Sequence, residues 1–162
     1  MSPAAFRLPP ALWLFTAMLV LTETAMASPL GSLLAGEPPA TLGAPGGKFA
    51  PCPERPNCVS SQAIDAEHAI APLAIEGDPA IAMARLADTI RAMPGSTVVV
   101  LRSDYLHAEF ASALWGFVDD IEFALVPGAM TVAVRSAARR GYSDFGVNRK
   151  RVEAIRAAFA SR

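Results

Sequence analysis

Residues 117–135 read FVDDIEFALVPGAMTVAVR, and this stretch decides the fold. Ile121, Phe123 and Leu125 share one face of an extended chain; Asp120, Glu122 and Ala124 share the other. Beyond the turn residues Pro127 and Gly128, Val132 and Val134 alternate with Thr131, Ala133 and Arg135. The pattern is that of two strands joined by a tight hairpin. With Val126–Ala129 as the turn, Leu125 faces Met130, Phe123 faces Val132 and Ile121 faces Val134. Every apolar residue then meets an apolar one, and a slip by one residue would mix the faces. This register sets Asp120 opposite Arg135 as a cross-strand ion pair, with Glu122 two residues along the same face.

Upstream, Tyr105–Phe110 alternates in the same way, with Leu106, Ala108 and Phe110 inward and Tyr105, His107 and Glu109 outward. Thr97–Leu101 is a β-branched run and a further strand. Asp78-Pro79 supplies a capping residue and a first-turn proline, so a helix starts there and ends by Met93, before Pro94-Gly95. Its apolar side holds Ile81, Ala82, Met83, Leu86, Ala87 and Ile90. A last helix opens at Asn148, with Val152, Ile155 and Phe159 as its stripe. Helix, four strands and helix give an α+β fold: an antiparallel sheet of about four or more strands with helices on one face. The opposite face is expected to be solvated, its charges keeping the sheet soluble, or to carry a polar site.

The 162-residue chain is 52% hydrophobic with a formal net charge of −1. Such a length holds one domain and excludes a TIM barrel. Near-neutral charge argues against a dedicated nucleic-acid binder. Ala11–Leu21 (ALWLFTAMLVL) is an apolar run, followed by Ala25-Met26-Ala27. Residues 1–27 therefore read as a signal peptide cut after Ala27, with an uncleaved membrane anchor as the alternative. After cleavage no stable membrane span remains. Twelve of the fourteen basic residues are arginine, and alanine is abundant, as in proteins of GC-rich bacteria. The expected location is periplasmic or secreted. Residues 28–50, rich in proline and glycine, read as a flexible arm, and residues 51–162 as the single domain.

Cys52 and Cys58 are the only cysteines. In an exported chain such a close pair reads as a structural disulfide, with a redox-active or metal-binding pair as the alternative. Charge is segregated: residues 135–162 carry eight basic against two acidic residues, and residues 28–134 five against twelve. The two parts neutralise one another across the fold, or the arginines around Gly141–Asn148 form an anion site.

Three stretches carry a family resemblance: CPERPNCVSS (52–61), HAEFASALWGFVDDIEF (107–123) and VRSAARRGYSDFGVNRKRVEAIR (134–156). The chain resembles the domain-of-unknown-function 1499 family over about residues 50–160. The family's RSASR-type stretch stands here as Arg135-Ser136-Ala137-Ala138-Arg139, with Ala138 in place of a serine. The resemblance implies an uncharacterised secreted or envelope protein and assigns no chemistry. It directs attention to Asp119, Asp120, Glu122, Arg135, Ser136, Arg139, Ser143, Asp144, Asn148 and Arg149 as a candidate binding surface.

Three function classes remain. The expected one is a non-enzymatic binding or accessory module of the cell envelope, with an envelope protein or a small anion as partner and no cofactor. A small-molecule hydrolase would draw on Ser112, Ser136 or Ser143, His107 or His68, and Asp120 or Asp144, but no G-x-S-x-G sequence is present. A metal carrier would draw on His107, Glu109, Asp119, Asp120 and Glu122, without the usual ligand spacings; no metal is expected.

Overall fold

A computed structural model describes residues 34–161. The expected signal peptide and the first residues of the expected arm lie outside the described residues. Six strands form one antiparallel sheet: β1 (Cys58–Ser60), β2 (Leu73–Ala74), β3 (Ser96–Leu101), β4 (Tyr105–Ala111), β5 (Val118–Leu125) and β6 (Thr131–Ala138). The spatial order is β1-β6-β5-β4-β3, with β2 also pairing to β6. Two helices, α1 (Pro79–Arg91) and α2 (Val147–Ala160), pack on one face, so the fold is α+β. The strands β1 and β2 were not foreseen, because three and two residues are too short to display an alternation.

The start of α1 follows from its sequence. Asp78 accepts hydrogen bonds from the backbone N–H of Ala80 at 2.7 Å and of Ile81 at 3.3 Å. Met83, Leu86 and Ile90 face the sheet and meet Leu106, Ile121, Phe123, Val132 and Val134, with Val152, Ile155 and Phe159 of α2 completing the core. Each such side chain contributes roughly 1.5–3 kcal/mol on burial. Ile81, expected inward, is exposed, because five residues from Leu86 it falls off the stripe.

The β5–β6 register differs from expectation by two. Glu122 pairs with Arg135, Asp120 with Ala137, Phe123 with Val134 and Leu125 with Val132. The turn is wider than a two-residue hairpin: Val126 N–H donates to Thr131 O at 3.1 Å and Ala129 N–H to Val126 O at 3.0 Å. Met130 is exposed rather than opposite Leu125. Alternation excludes a slip by one but cannot see a change of two, since side chains keep their faces. Asp120 therefore does not pair with Arg135.

The second face is not solvated, contrary to expectation. Glu122 is 0% exposed and Asp120 1%. Described residues of the Pro/Gly-rich stretch cross this face, where buried Phe49 packs with Tyr105, Ala124 and Ala133. Gln62 holds the stretch at two points, accepting from Phe49 N–H at 2.9 Å and donating to Gly47 O at 2.6 Å.

Candidate functional site

The ten residues singled out by sequence divide between the two faces of the sheet. On the helix side, Asp144 accepts from the backbone N–H of Gly146 at 2.9 Å and of Asn148 at 2.8 Å, and from Asn148 Nδ2 at 2.9 Å. It thereby satisfies donors at the start of α2, where Gly146 has a left-handed φ of 77°. Ser136 Oγ donates to Asn148 Oδ1, and Arg151 Nη1 donates to the same oxygen at 2.8 Å. Arg151 also pairs with Asp119 at 2.8 Å. Burial pushes the Asp119 carboxyl above its ordinary range, and Arg151 only partly opposes this. Arg149 donates to Ala69 O at 2.8 Å and Glu67 O at 2.7 Å, and Ser143 accepts from Phe145 N–H at 3.2 Å. These six residues fasten α2 and its leading loop to the sheet and to neighbouring loops.

The other four, Asp120, Glu122, Arg135 and Arg139, meet on the arm-covered face, joined by Tyr105, His107 and Glu109 of β4. Arg139 Nε donates to Asp120 Oδ2 and its Nη2 to Asp120 Oδ1, each at 2.8 Å. The same Nη2 donates to Glu109 Oε1, and Nη1 donates to Gly36 O at 3.2 Å. His107 Nε2 lies 2.8 Å from Asp120 Oδ1. Burial acts to raise the Asp120 carboxyl, but hydrogen bonds from Arg139 and His107 outweigh it and hold the group below its ordinary value. Glu122 Oε1 accepts from Tyr105 Oη at 2.8 Å and from Gly43 N–H at 2.6 Å. Burial, followed by the bond to Glu122, pushes the Tyr105 phenol far up.

Arg135 differs from Arg139. Its side chain is almost fully buried, yet its closest carboxylate, Glu122 Oε2, lies 3.6 Å from Nη1. Neither Arg135 Nε nor Glu122 Oε2 has a hydrogen-bond partner. A buried donor left in this state is costly, and it calls for an explanation. Arg135 and Arg139 line a cavity of about 400 Å³ together with Pro39, Thr41, Ala50, Pro51 and Cys52, the last of which is bonded to Cys58. A larger hollow of about 680 Å³ lies beyond Ala50–Cys52, but neither arginine reaches it.

The family described as "Protein of unknown function (DUF1499)" matches residues 48–159. The chain belongs to the DUF1499 family. A search of curated proteins returned no match. Within this DUF1499 domain the Cys52–Cys58 pair forms a disulfide, and no described helix is long and apolar enough to cross a membrane.

The serines and histidines named for a hydrolase do not come together among the described residues. Ser136 and His107 lie on opposite faces of the sheet, and no serine hydroxyl bonds to the ring of His107 or His68 among the described residues. Ligand atoms of His107, Glu109 and Asp120 converge within 4.8 Å, the spacing a cation needs. Arg139, however, donates to both of these carboxylates, so its guanidinium already supplies the positive charge. The roof residues Pro39, Thr41 and Gly43 were missed by sequence reasoning, since a segment without periodicity gives no signal of what it covers. Phe49, a lone aromatic in a Pro/Gly stretch, was the available hint.

Proposed function

We propose that this DUF1499 domain is an extracytoplasmic binding module that takes a small organic carboxylate in the cavity between the arm and the sheet. The carrying observation is Arg135, buried at the cavity wall with its Nε unpartnered and its nearest carboxylate at 3.6 Å. A guanidinium fork with free donors suits a planar carboxylate. Two arginines face Glu109, Asp120 and Glu122, so the wall is not strongly positive and suits one oxyanion better than a polyphosphate. Pro39, Pro51, Pro53, Ala137 and Ala138 offer apolar surface to the rest of the ligand. The disulfide and the signal-like leader support an oxidising compartment.

Native mass spectrometry of the protein purified from the periplasm without chelator tests this reading. The expected result is an excess mass of a small organic acid on the oxidised chain, lost in folded Arg135→Met and weakened in Arg135→Lys. A bare chain mass, with no thermal stabilisation by a panel of small carboxylates, would overturn it. An excess equal to a metal ion would also overturn it and point to His107, Glu109 and Asp120.

A further inference from the structure

The cavity beside Arg135 owes its volume to one small residue. On the arm side of the sheet the register sets Cys58, Ala137 and Asp120 side by side across β1, β6 and β5, with Glu109 of β4 next to Asp120. Directly opposed residues of antiparallel strands share a face. Along β6 the neighbours of Ala137 on that face are Arg135 and, just past the strand, Arg139, both of which line the cavity with it. Ala137 thus stands among a disulfide sulfur, a carboxylate and two guanidinium groups, and has the shortest side chain among them. Pro39, Thr41 and Pro51 of the covering segment line the same space.

The polar groups of this wall are unequally occupied. Arg139 uses Nε and Nη2 on Asp120, Nη2 again on Glu109, and Nη1 on Gly36 O. Both oxygens of Asp120 are in turn taken, by Arg139 and His107. Arg135 Nε has no partner, and Nη1 stands 3.6 Å from Glu122. Thr41 is the one uncharged polar side chain among the described lining residues; apart from the charged ones, the rest are proline, alanine and Cys52. One anionic group can therefore be met, at Arg135. A second carboxylate would lie against alkyl surface or beside Asp120, and burying an unpaired charge costs far more than a hydrophobic contact returns. A hydrocarbon chain meets methyl and ring methylene groups there and gains by leaving water.

We infer that the ligand is an aliphatic monocarboxylate whose hydrocarbon tail lies on Ala137 while its carboxylate meets Arg135. This rests on the carboxylate reading above and narrows it to one charge and a plain tail. The probes are acetate, propionate, butyrate, valerate and glutarate, titrated into the dialysed protein purified from the periplasm, with its alanine methyl groups isotope-labelled for NMR. Affinity is expected to rise by up to roughly fourfold for each methylene from acetate to valerate, as that group leaves water. Glutarate, which differs from valerate by a second carboxylate, is expected to bind at least about tenfold more weakly. The Ala137 methyl signal should move with valerate. Ala137→Val, its folding checked by the melting temperature, should fill the space and weaken valerate by about tenfold. Glutarate binding as tightly as valerate overturns the proposal while leaving the carboxylate reading in place, and so does a flat series from acetate to valerate. Valerate binding that leaves the Ala137 methyl unmoved puts the tail elsewhere and overturns it too, whatever Ala137→Val does. Binding by none of these acids overturns the proposal and the carboxylate reading together.

Discussion

Arg139 grips both carboxylate oxygens of Asp120, through Nε and Nη2, at 2.8 Å each. The pair is buried and further bonded to His107 and Glu109. Breaking a buried pair from one side leaves an uncompensated charge, at a cost of about 3–5 kcal/mol. Arg139→Met is expected to lose that much in denaturant unfolding. The double variant with Asp120→Asn should lose clearly less than the two single losses combined, whereas additive losses would show that the two residues are not coupled.

Tyr105 and Gly43 share one oxygen of Glu122, which connects the arm to the centre of the sheet. Tyr105→Phe removes the phenolic donor from a buried carboxylate and should cost about 1.5–3 kcal/mol. The loss should be accompanied by faster amide exchange at Gly43. Unchanged exchange there would mean that Tyr105 does not steady the bond between Gly43 and Glu122.

Acid should weaken the domain through Asp120. Its carboxyl titrates below the ordinary value, so its stabilisation is present above that value and lost as pH falls through the folded one. Asp119 is shifted upward and opposes this, gaining relative stability as it takes up a proton above the ordinary carboxylate value. Thermal melts from about pH 6 to about pH 3 should show a smaller drop for Asp120→Asn and a larger one for Asp119→Asn than for the natural chain.

His68 should respond in the opposite direction. Its Nδ1 lies 2.7 Å from Asp65 Oδ1 and its Nε2 3.1 Å from Arg55 O, both acceptors, so both ring nitrogens donate only when the ring is protonated. The backbone carbonyl of Arg55, ahead of burial, which opposes it, and of Asp65, raises the ring above its ordinary value of 6.5. Its stabilisation is present below the ordinary value and fades as pH rises through the folded one. An NMR titration should place the His68 midpoint above 6.5; a midpoint at or below 6.5 would contradict the arrangement.

Reduction of Cys52–Cys58 should cost about 2 kcal/mol, since the closed loop is short. Because Cys52 and Pro53 form part of the cavity rim, reduction should also weaken binding of any small carboxylate that stabilises the oxidised protein. Melting curves with and without dithiothreitol, in the presence and absence of the carboxylate, separate the two effects.

The helix-facing half of the fold was legible because burial imposes a period. Leu106, Ala108, Ile121, Phe123, Val132 and Val134 had to point one way, and Asp78-Pro79 had to start a helix. The sequence also brought Tyr105, His107, Glu109, Asp120 and Glu122 to one face of the sheet, and it placed a disulfide between Cys52 and Cys58. Tertiary structure alone decided what those polar residues do. A turn two residues wider moved Arg135 from Asp120 to Glu122 and left Asp120 to Arg139, a change to which alternation is blind. The Pro/Gly-rich stretch, which has no period of its own, roofs that face and turns surface charges into a buried network beside a cavity. Periodicity determines which side chains share a face; only long-range packing determines whether that face meets water, another part of the chain or a ligand.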